Sequence, residues 1–349
     1  MNKYDERYDI RLARPSEIDD IMKFINEHWK SGHIMAVDRK LFEYEFLEND
    51  IVNVIIAMDK NTRTIEGISG FLRCSHTDQK DKLDVWGSFW KVNDSRKNMT
   101  FLGVELIKRL ICMLQCRTHL GIGINPDTTL PIRKMVFHEK TAKMEHYYCL
   151  NPQIKDFKIA VINNLVYKQI SNDILKTKYI QFYSIDEIQL YFDIEKLDSI
   201  PYKDFWYINK RFFQHPYYSY QVYGLYNKEN QIAALLITRV VEHMGRKVLR
   251  IVDYIGEQSL FSGLGYLFQD LMAKYQYEYT DFYTFGFHKD YILNAGFLLK
   301  AKEDTNIIPN YFEPFLQKNI DIWIRYTDEN TLFCKADGDQ DRPNTVRIE

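Results

Sequence analysis

The stretch LDVWGSFWKVNDSRKNMTFLGVELIKRLICML, residues 83–114, decides the fold. Residues 83–92 mix β-branched and aromatic side chains (Val85, Trp86, Phe89, Trp90, Val92) and read as a strand. Leu102, Leu106, Leu110 and Leu114 recur at helical spacing, so they line one face of an amphipathic helix over about 101–114. Between strand and helix lies the polar loop Asn93-Asp94-Ser95-Arg96-Lys97-Asn98-Met99-Thr100-Phe101, followed by Leu102 and Gly103. A helix that starts directly after such a loop presents free backbone N–H groups and the positive end of its dipole, which suit a phosphate or pyrophosphate. Arg96 and Lys97 add charge there, and Gly103 permits close approach of backbone to ligand. Taken alone, the same loop also reads as a solvated turn.

Upstream, residues 10–13 form a short strand ended by Arg14-Pro15, and a helix carrying Ile18, Ile21, Met22 and Ile25 follows. A second helix covers about 41–47, and two extended runs, 51–58 and 64–72, precede the deciding stretch. Downstream, residues 118–124 are a strand, Asn125-Pro126-Asp127 opens a helix reaching about Phe137, and the aromatic strand His146-Tyr147-Tyr148 closes the unit. Residues 151–178 connect, with the apolar run 159–166 suggesting a crossing strand. The programme then restarts: a strand over 218–226, a hairpin over 231–255, a helix striped by Leu260, Leu264, Leu267 and Leu271, a strand over 281–287 and a short helix. Strand-strand-strand-helix-strand-helix thus occurs twice, which points to an internal duplication. The expected architecture is α/β (α+β): two tandem domains, 1–150 and 151–330, each a twisted, mixed, mainly antiparallel sheet flanked by helices, and an acidic C-terminal tail, 331–349.

Composition narrows the function. Lys+Arg 46 against Asp+Glu 48 gives a net charge of −2, which argues against a nucleic-acid binder. No apolar run approaches the length of a membrane span, the first residues lack the apolar core of a secretion signal, and five scattered cysteines form no C-x-x-C pair. A cytoplasmic protein without a metal site, with no nucleic-acid or membrane partner and with the monomer favoured, is the expectation. The 25 Tyr and 22 Phe read as core, and are compatible with stacking on a base or sugar.

Three segments resemble the GCN5-related N-acetyltransferase (GNAT) superfamily: Ile10-Arg11-Leu12-Ala13-Arg14-Pro15-Ser16-Glu17-Ile18-Asp19-Asp20-Ile21 looks like its opening strand and helix, Glu66-Gly67-Ile68-Ser69-Gly70-Phe71 like its central hairpin, and Asn125 through Phe137 like its strand-Asn-helix segment. The resemblance implies that acyl-coenzyme A is held by Lys91, Val92, Asn93, Ser95, Arg96, Lys97, Asn98, Met99, Thr100, Phe101, Leu102, Gly103 and Asn125. Of the superfamily's glycine pattern in this loop, only Gly103 remains. The corresponding loop of the second half, residues 256–265, carries Glu257 and no Arg or Lys, so coenzyme A is assigned to the first domain and a structural or acceptor role to the second.

The whole chain is similar to tandem acyltransferases of bacterial surface-polysaccharide (O-antigen, lipopolysaccharide or capsule) pathways. That likeness implies transfer of an acyl group to the amine of a nucleotide-linked, dTDP-type amino-deoxy sugar. In this fold a backbone N–H near Lys91-Val92 serves as oxyanion donor. Candidate general bases are His28, His33 and Asp38. Ile132 stands where many relatives carry a Tyr acid, so Tyr148 or its neighbour Tyr147 is the substitute, unless the thiolate leaves unassisted. Trp29, Trp86 and Trp90 are candidate walls of the acyl or sugar pocket, with core packing as the alternative role. Arg211, His215, Tyr217, Asp253 and Tyr254 are candidate acceptor contacts at an inter-domain cleft. Asp341 and Arg342, with Asp339, are expected either in a disordered end or in a fixed network at the domain interface or beside the acceptor. Two other readings stay open: a tandem-domain transferase that uses aminoacyl-tRNA to build peptidoglycan cross-bridges, and a non-catalytic binding module.

Overall fold

A computed structural model describes residues 2–94, 98–170 and 174–345. In the first half the helices are α1 (Lys3–Arg7), α2 (Ile18–Phe24), α3 (Ile34–Val37), α4 (Arg39–Phe46), α5 (Leu102–Leu114) and α6 (Thr129–Phe137). The strands there are β1 (Tyr8–Ala13), β2 (Leu47–Glu48), β3 (Ile51–Asp59), β4 (Ile65–Arg73), β5 (Asp84–Val92), β6 (Thr118–Ile122), β7 (Lys140–Lys143) and β8 (Glu145–Leu150). The second half supplies β9 (Tyr179–Phe182), β10 (Gln221–Tyr226), β11 (Ile232–His243), β12 (Arg246–Gly256), β13 (Tyr277–Phe285), β14 (Leu298–Leu299), β15 (Tyr311–Phe312), β16 (Phe315–Leu316), β17 (Trp323–Tyr326) and β18 (Phe333–Cys334). Its helices are α7 (Ile185–Tyr191), α8 (Phe205–Ile208), α9 (Gly265–Tyr275) and α10 (Lys289–Asn294). The expected mixed, mainly antiparallel α/β architecture is present in two large sheets. Among the described residues no helix is long and apolar enough to cross a membrane.

The sheets exchange strands. The first runs β1-β3-β4-β5-β6-β17-β7 and the second β14-β8-β13-β12-β11-β10-β9. β8 leaves β7 directly and enters the second sheet, pairing antiparallel with β13 and β14. In return β17 inserts between β6 and β7 of the first. Residues 145–150 and 323–326 therefore belong structurally to the half opposite the one in which the sequence places them. The run 159–166 forms no strand, only an isolated bridge from Val161 to Ile307.

Burial explains the joint. Trp86 of β5 is fully buried against Phe333 of β18, ring centroids 5.4 Å apart, in a cluster that also holds Tyr283 and Ile324. Such a ring buries roughly 150–250 Å², on the order of 4–6 kcal/mol as an upper bound. Residues 331–342 are no acidic tail in solvent: Ala336, Asp337, Asp341 and Arg342 are buried, and this segment forms a strap between the sheets.

Candidate functional site

β5 and β6 run parallel only from Asp84–Thr118 to Gly87–Gly121. Beyond Gly87 the pairing with β4 shifts register, so Ser88 and Phe89 bulge, and β5 continues to Val92 with no ladder partner on the β6 side. The gap opens into a cavity of about 740 Å³. Ser88–Val92 line one wall; Gly103, Val104 and Ile107 of α5 and Ile124, Asn125 and Ile132 beside and on α6 line the others. Gly123, at φ +72°, is closed over by the Gln340 side chain, so the strap forms part of this site.

The sequence signal for the loop is the part this geometry carries furthest. Lys91, Val92, Phe101, Gly103 and Asn125 line the cavity. Trp90 lines it as well, and its indole donates to the Gly103 carbonyl at 3.0 Å. The Asn125 side chain accepts from the N–H groups of Asp127 and Thr128 and so shapes the entry to α6. Asn93, Asn98, Met99 and Thr100 brace the loop: the Asn98 amide donates to the Asn93 carbonyl, Met99 N–H to the Tyr8 hydroxyl, and Tyr4 to the Thr100 carbonyl. Leu102 is buried under the sheet, and Phe101 is 71% exposed. Ser95, Arg96 and Lys97 lie outside the described residues.

The cavity floor is charged. The Arg133 guanidinium chelates Glu139, Arg325 reaches the same carboxylate at 3.1 Å, and both face the two ring nitrogens of His119. Burial, with Arg325 and Arg133 alongside, pushes the His119 imidazole well below its usual pKa, so the ring is neutral. Two guanidiniums on one carboxylate leave a positive balance beneath the cleft. None of His119, Arg133, Glu139 and Arg325 was a sequence candidate, because Arg325 arrives on the exchanged strand β17.

The other candidates divide. Trp29 lines the cavity and packs on Phe89 and His33. His33 caps α3 through Nδ1, and burial with Arg342 and Lys30 nearby lowers its pKa to about 4. His28 lies beside Phe24 and Glu27 and does not line the cleft. Asp38 caps α4 with one oxygen and accepts from the Tyr217 hydroxyl at 2.6 Å with the other, so it is a joint between the halves. Tyr148 is corrected most clearly: β8 carries it into the second sheet, where its hydroxyl donates to Asp304 and accepts from Asn306. Its neighbour Tyr147 is engaged with Glu145. Trp86 is core between the sheets and does not line the β5–β6 cavity.

The proposed acceptor contacts of the second half hold the strap or the core. Arg211 donates to the carbonyls of Ala336 and Asp341, and His215 accepts from the N–H groups of Tyr217 and Tyr218. Asp253 binds the Lys203 ammonium through both oxygens, and Tyr254 donates to the Glu257 carbonyl. Asp341 is chelated by Arg239, and Arg342 pairs with Glu45 and Asp339. A fixed network at the domain interface, one of the two expectations for this segment, is what the chain builds.

The equivalent gap of the second sheet, between β12 and β13, is filled by the protein itself. β18 pairs with the end of β13, and Ala336 N–H donates to the Val252 carbonyl of β12. The loop 256–265 is pressed against Ile170, Leu175 and Thr177, with a Cβ on Gly263 falling 2.4 Å from the Leu175 carbonyl.

Two large mixed, mostly antiparallel sheets flanked by helices, each with one parallel pair of short overlap, match GNAT-like folds. A protein of Enterococcus faecalis V583 described as a "Probable N-Acyltransferase" superposes with a TM-score of 0.55 at 7% identity, over 91% of this chain and 71% of that one. A GCN5-related N-acetyltransferase of Anabaena variabilis ATCC 29413 superposes with a TM-score of 0.54 at 11% identity, over 91% and 72%. At such identities the likeness is one of fold. No protein-family model and no curated protein matches the sequence.

Proposed function

We propose that this protein is an N-acyltransferase that takes its acyl group from acyl-coenzyme A held in the β5–β6 cleft and transfers it to a primary amine. The observation that carries this reading is the contrast between two gaps of like topology: one is open for about 740 Å³, and the other is plugged by β18. The open one fits the donor. Residues 88–92 offer an unladdered strand edge to an extended, amide-bearing arm. Gly103 and Val104, at the start of a thirteen-residue helix, face its outer end, where a pyrophosphate is favoured. A β5 backbone N–H beside the bulge suits the role of oxyanion donor. The thioester supplies an activated acyl group, and the protein supplies alignment of amine and carbonyl, which accounts for several kcal/mol of such a barrier.

The narrower acceptor, the amino group of a dTDP-linked amino-deoxy sugar, is supported by the sequence resemblance alone. Arg211, Asp253, Tyr254 and Asp341 are already bonded within the protein, so the acceptor belongs at the Trp29 end of the cleft.

A thermal-shift screen of coenzyme A, acetyl-coenzyme A, dTDP and UDP tests both levels. A ligand at one hundred times its Kd adds about 2.7 kcal/mol, a shift of several degrees. Stabilisation by coenzyme A supports the class, and stabilisation by one nucleotide supports the sugar. No shift with coenzyme A overturns the assignment and favours a binding module.

A further inference from the structure

The strap reads Asp337-Gly338-Asp339-Gln340-Asp341, an aspartate at every second position. The outer two face the second half. Asp337 accepts from Cys334 N–H and pairs with the Lys203 ammonium at 2.6 Å. Asp341 is chelated by Arg239 and accepts from the Tyr220 hydroxyl at 2.9 Å. Asp339 faces the other way and lines the β5–β6 cavity of the first half. Ser88 Oγ donates to its Oδ2 at 2.8 Å, at the bulge where β5 departs from β6, and Arg342 approaches the same oxygen at 3.2 Å. Among the described residues both contacts fall on Oδ2.

We infer that Asp339 is the carboxylate that receives the acceptor's ammonium group and takes its proton, and that the plugged gap of the second half is the socket that holds this residue in place. The inference rests on the acyltransferase reading and specifies its acceptor: an amine that arrives as a cation at the Trp29–Ser88 end of the cleft. The proton count closes. One proton passes from the ammonium to the Asp339 carboxylate and on to water. The nitrogen lone pair then forms the C–N bond, the C–S bond breaks with its electron pair on sulfur, and the second proton lost by nitrogen ends on the thiol. The products are an amide, the free thiol and one proton.

Among the described residues, the charged and titratable groups around Asp339 are Arg342 on the strap, His33 at the start of α3, Glu45 of α4 behind Arg342, and Tyr311. None of them offers a carboxylate to the cavity itself, since Glu45 is spent on Arg342.

The test measures coenzyme A affinity by calorimetry, and thiol release from acetyl-coenzyme A with a panel of primary amines, amino sugars included, from pH 6 to about pH 10, where an amine with a pKa near that of an α-amino group, about 8, is neutral. Asp339→Asn is expected to keep the Kd for coenzyme A and to lower amine-dependent release about 10²- to 10³-fold at neutral pH, with the deficit shrinking toward the alkaline limit. Ser88→Ala is expected to lose about 3- to 10-fold. An Asp339→Asn protein that binds coenzyme A and shows the unaltered rate and pH profile overturns this inference and leaves the acyltransferase reading standing. Coenzyme A binding by the unaltered protein without thiol release to any amine overturns the cationic acceptor. Loss of coenzyme A binding by the unaltered protein overturns both readings.

Discussion

Glu45 of α4 and Arg342 of the strap form a buried ion pair across 297 positions of the sequence. Burial raises the Glu45 pKa, and the Arg342 guanidinium opposes that shift. The pair ties the helical layer of the first sheet to a segment that also closes the second, and Arg342 extends the tie to Asp339. Arg342→Ala strands a buried carboxylate and is expected to cost about 3–5 kcal/mol in urea unfolding. The double variant Glu45→Gln/Arg342→Met, which buries no charge, should recover most of that loss. A single substitution within about 1 kcal/mol of the parent would show that the carboxylate finds another partner.

The exchanged strands make the halves dependent on each other. A fragment of residues 1–150 lacks β17, so β6 and β7 lose the strand between them, and β8 loses β13 and β14. Unpaired edges of that kind expose backbone groups and apolar side chains together. The fragment is expected to show no cooperative thermal transition by circular dichroism, whereas the full chain shows one. A sharp transition in the fragment would count against mutual dependence.

Stability should fall in mild acid. The folded-state pKa of His33 is lowered to about 4 by burial and by Arg342, while the unfolded value is the ordinary one, 6.5. Between these values the unfolded chain binds more protons, so the contribution is complete above about pH 6.5 and is lost as pH falls toward 4. His119 and His146, also lowered by burial, act in the same direction. His33→Asn keeps an N-cap and removes the titration. It should reduce the loss between pH 7 and pH 5 by on the order of 1 kcal/mol, after allowance for partial exposure. Parallel urea midpoints for the two proteins would refute the assignment.

Local elements were legible because their signals are local. The leucine stripe of α5 and the extended runs of β-branched and aromatic residues in β3, β4 and β5 depend on side chains a few positions apart, and the observed bounds follow them closely. His146-Tyr147-Tyr148 was equally legible as a strand, but its sheet was not, since any strand of that pattern satisfies its backbone with either neighbour. The apolar run 159–166 misled for a related reason: Ile159 and Ala160 are buried by packing, with Val161 alone bridging to another segment. In the site, Gly103 came from the strand-loop-helix pattern, and Lys91, Val92 and Asn125 from the family resemblance; all four line the cavity. Ser88 and Asp339 touch across 251 positions, and no spacing rule reaches that far.

By itself the sequence determined two repeats of one α/β programme and a loop between a strand and an amphipathic helix, which follow from periodicity that a few consecutive residues define. The likeness to acyltransferases came separately, from the resemblance of residues 10–21, 66–71 and 125–137 to a known superfamily. Only the tertiary structure decided which strands complete which sheet, that one gap stays open while the other is filled by residues 333–337, and that the aspartates of the C-terminal segment are anchors and cavity wall. Those outcomes depend on which distant surfaces exclude water from each other, and charges such as Asp341, Arg239 and Arg342 acquire their roles only once that exclusion has placed them together.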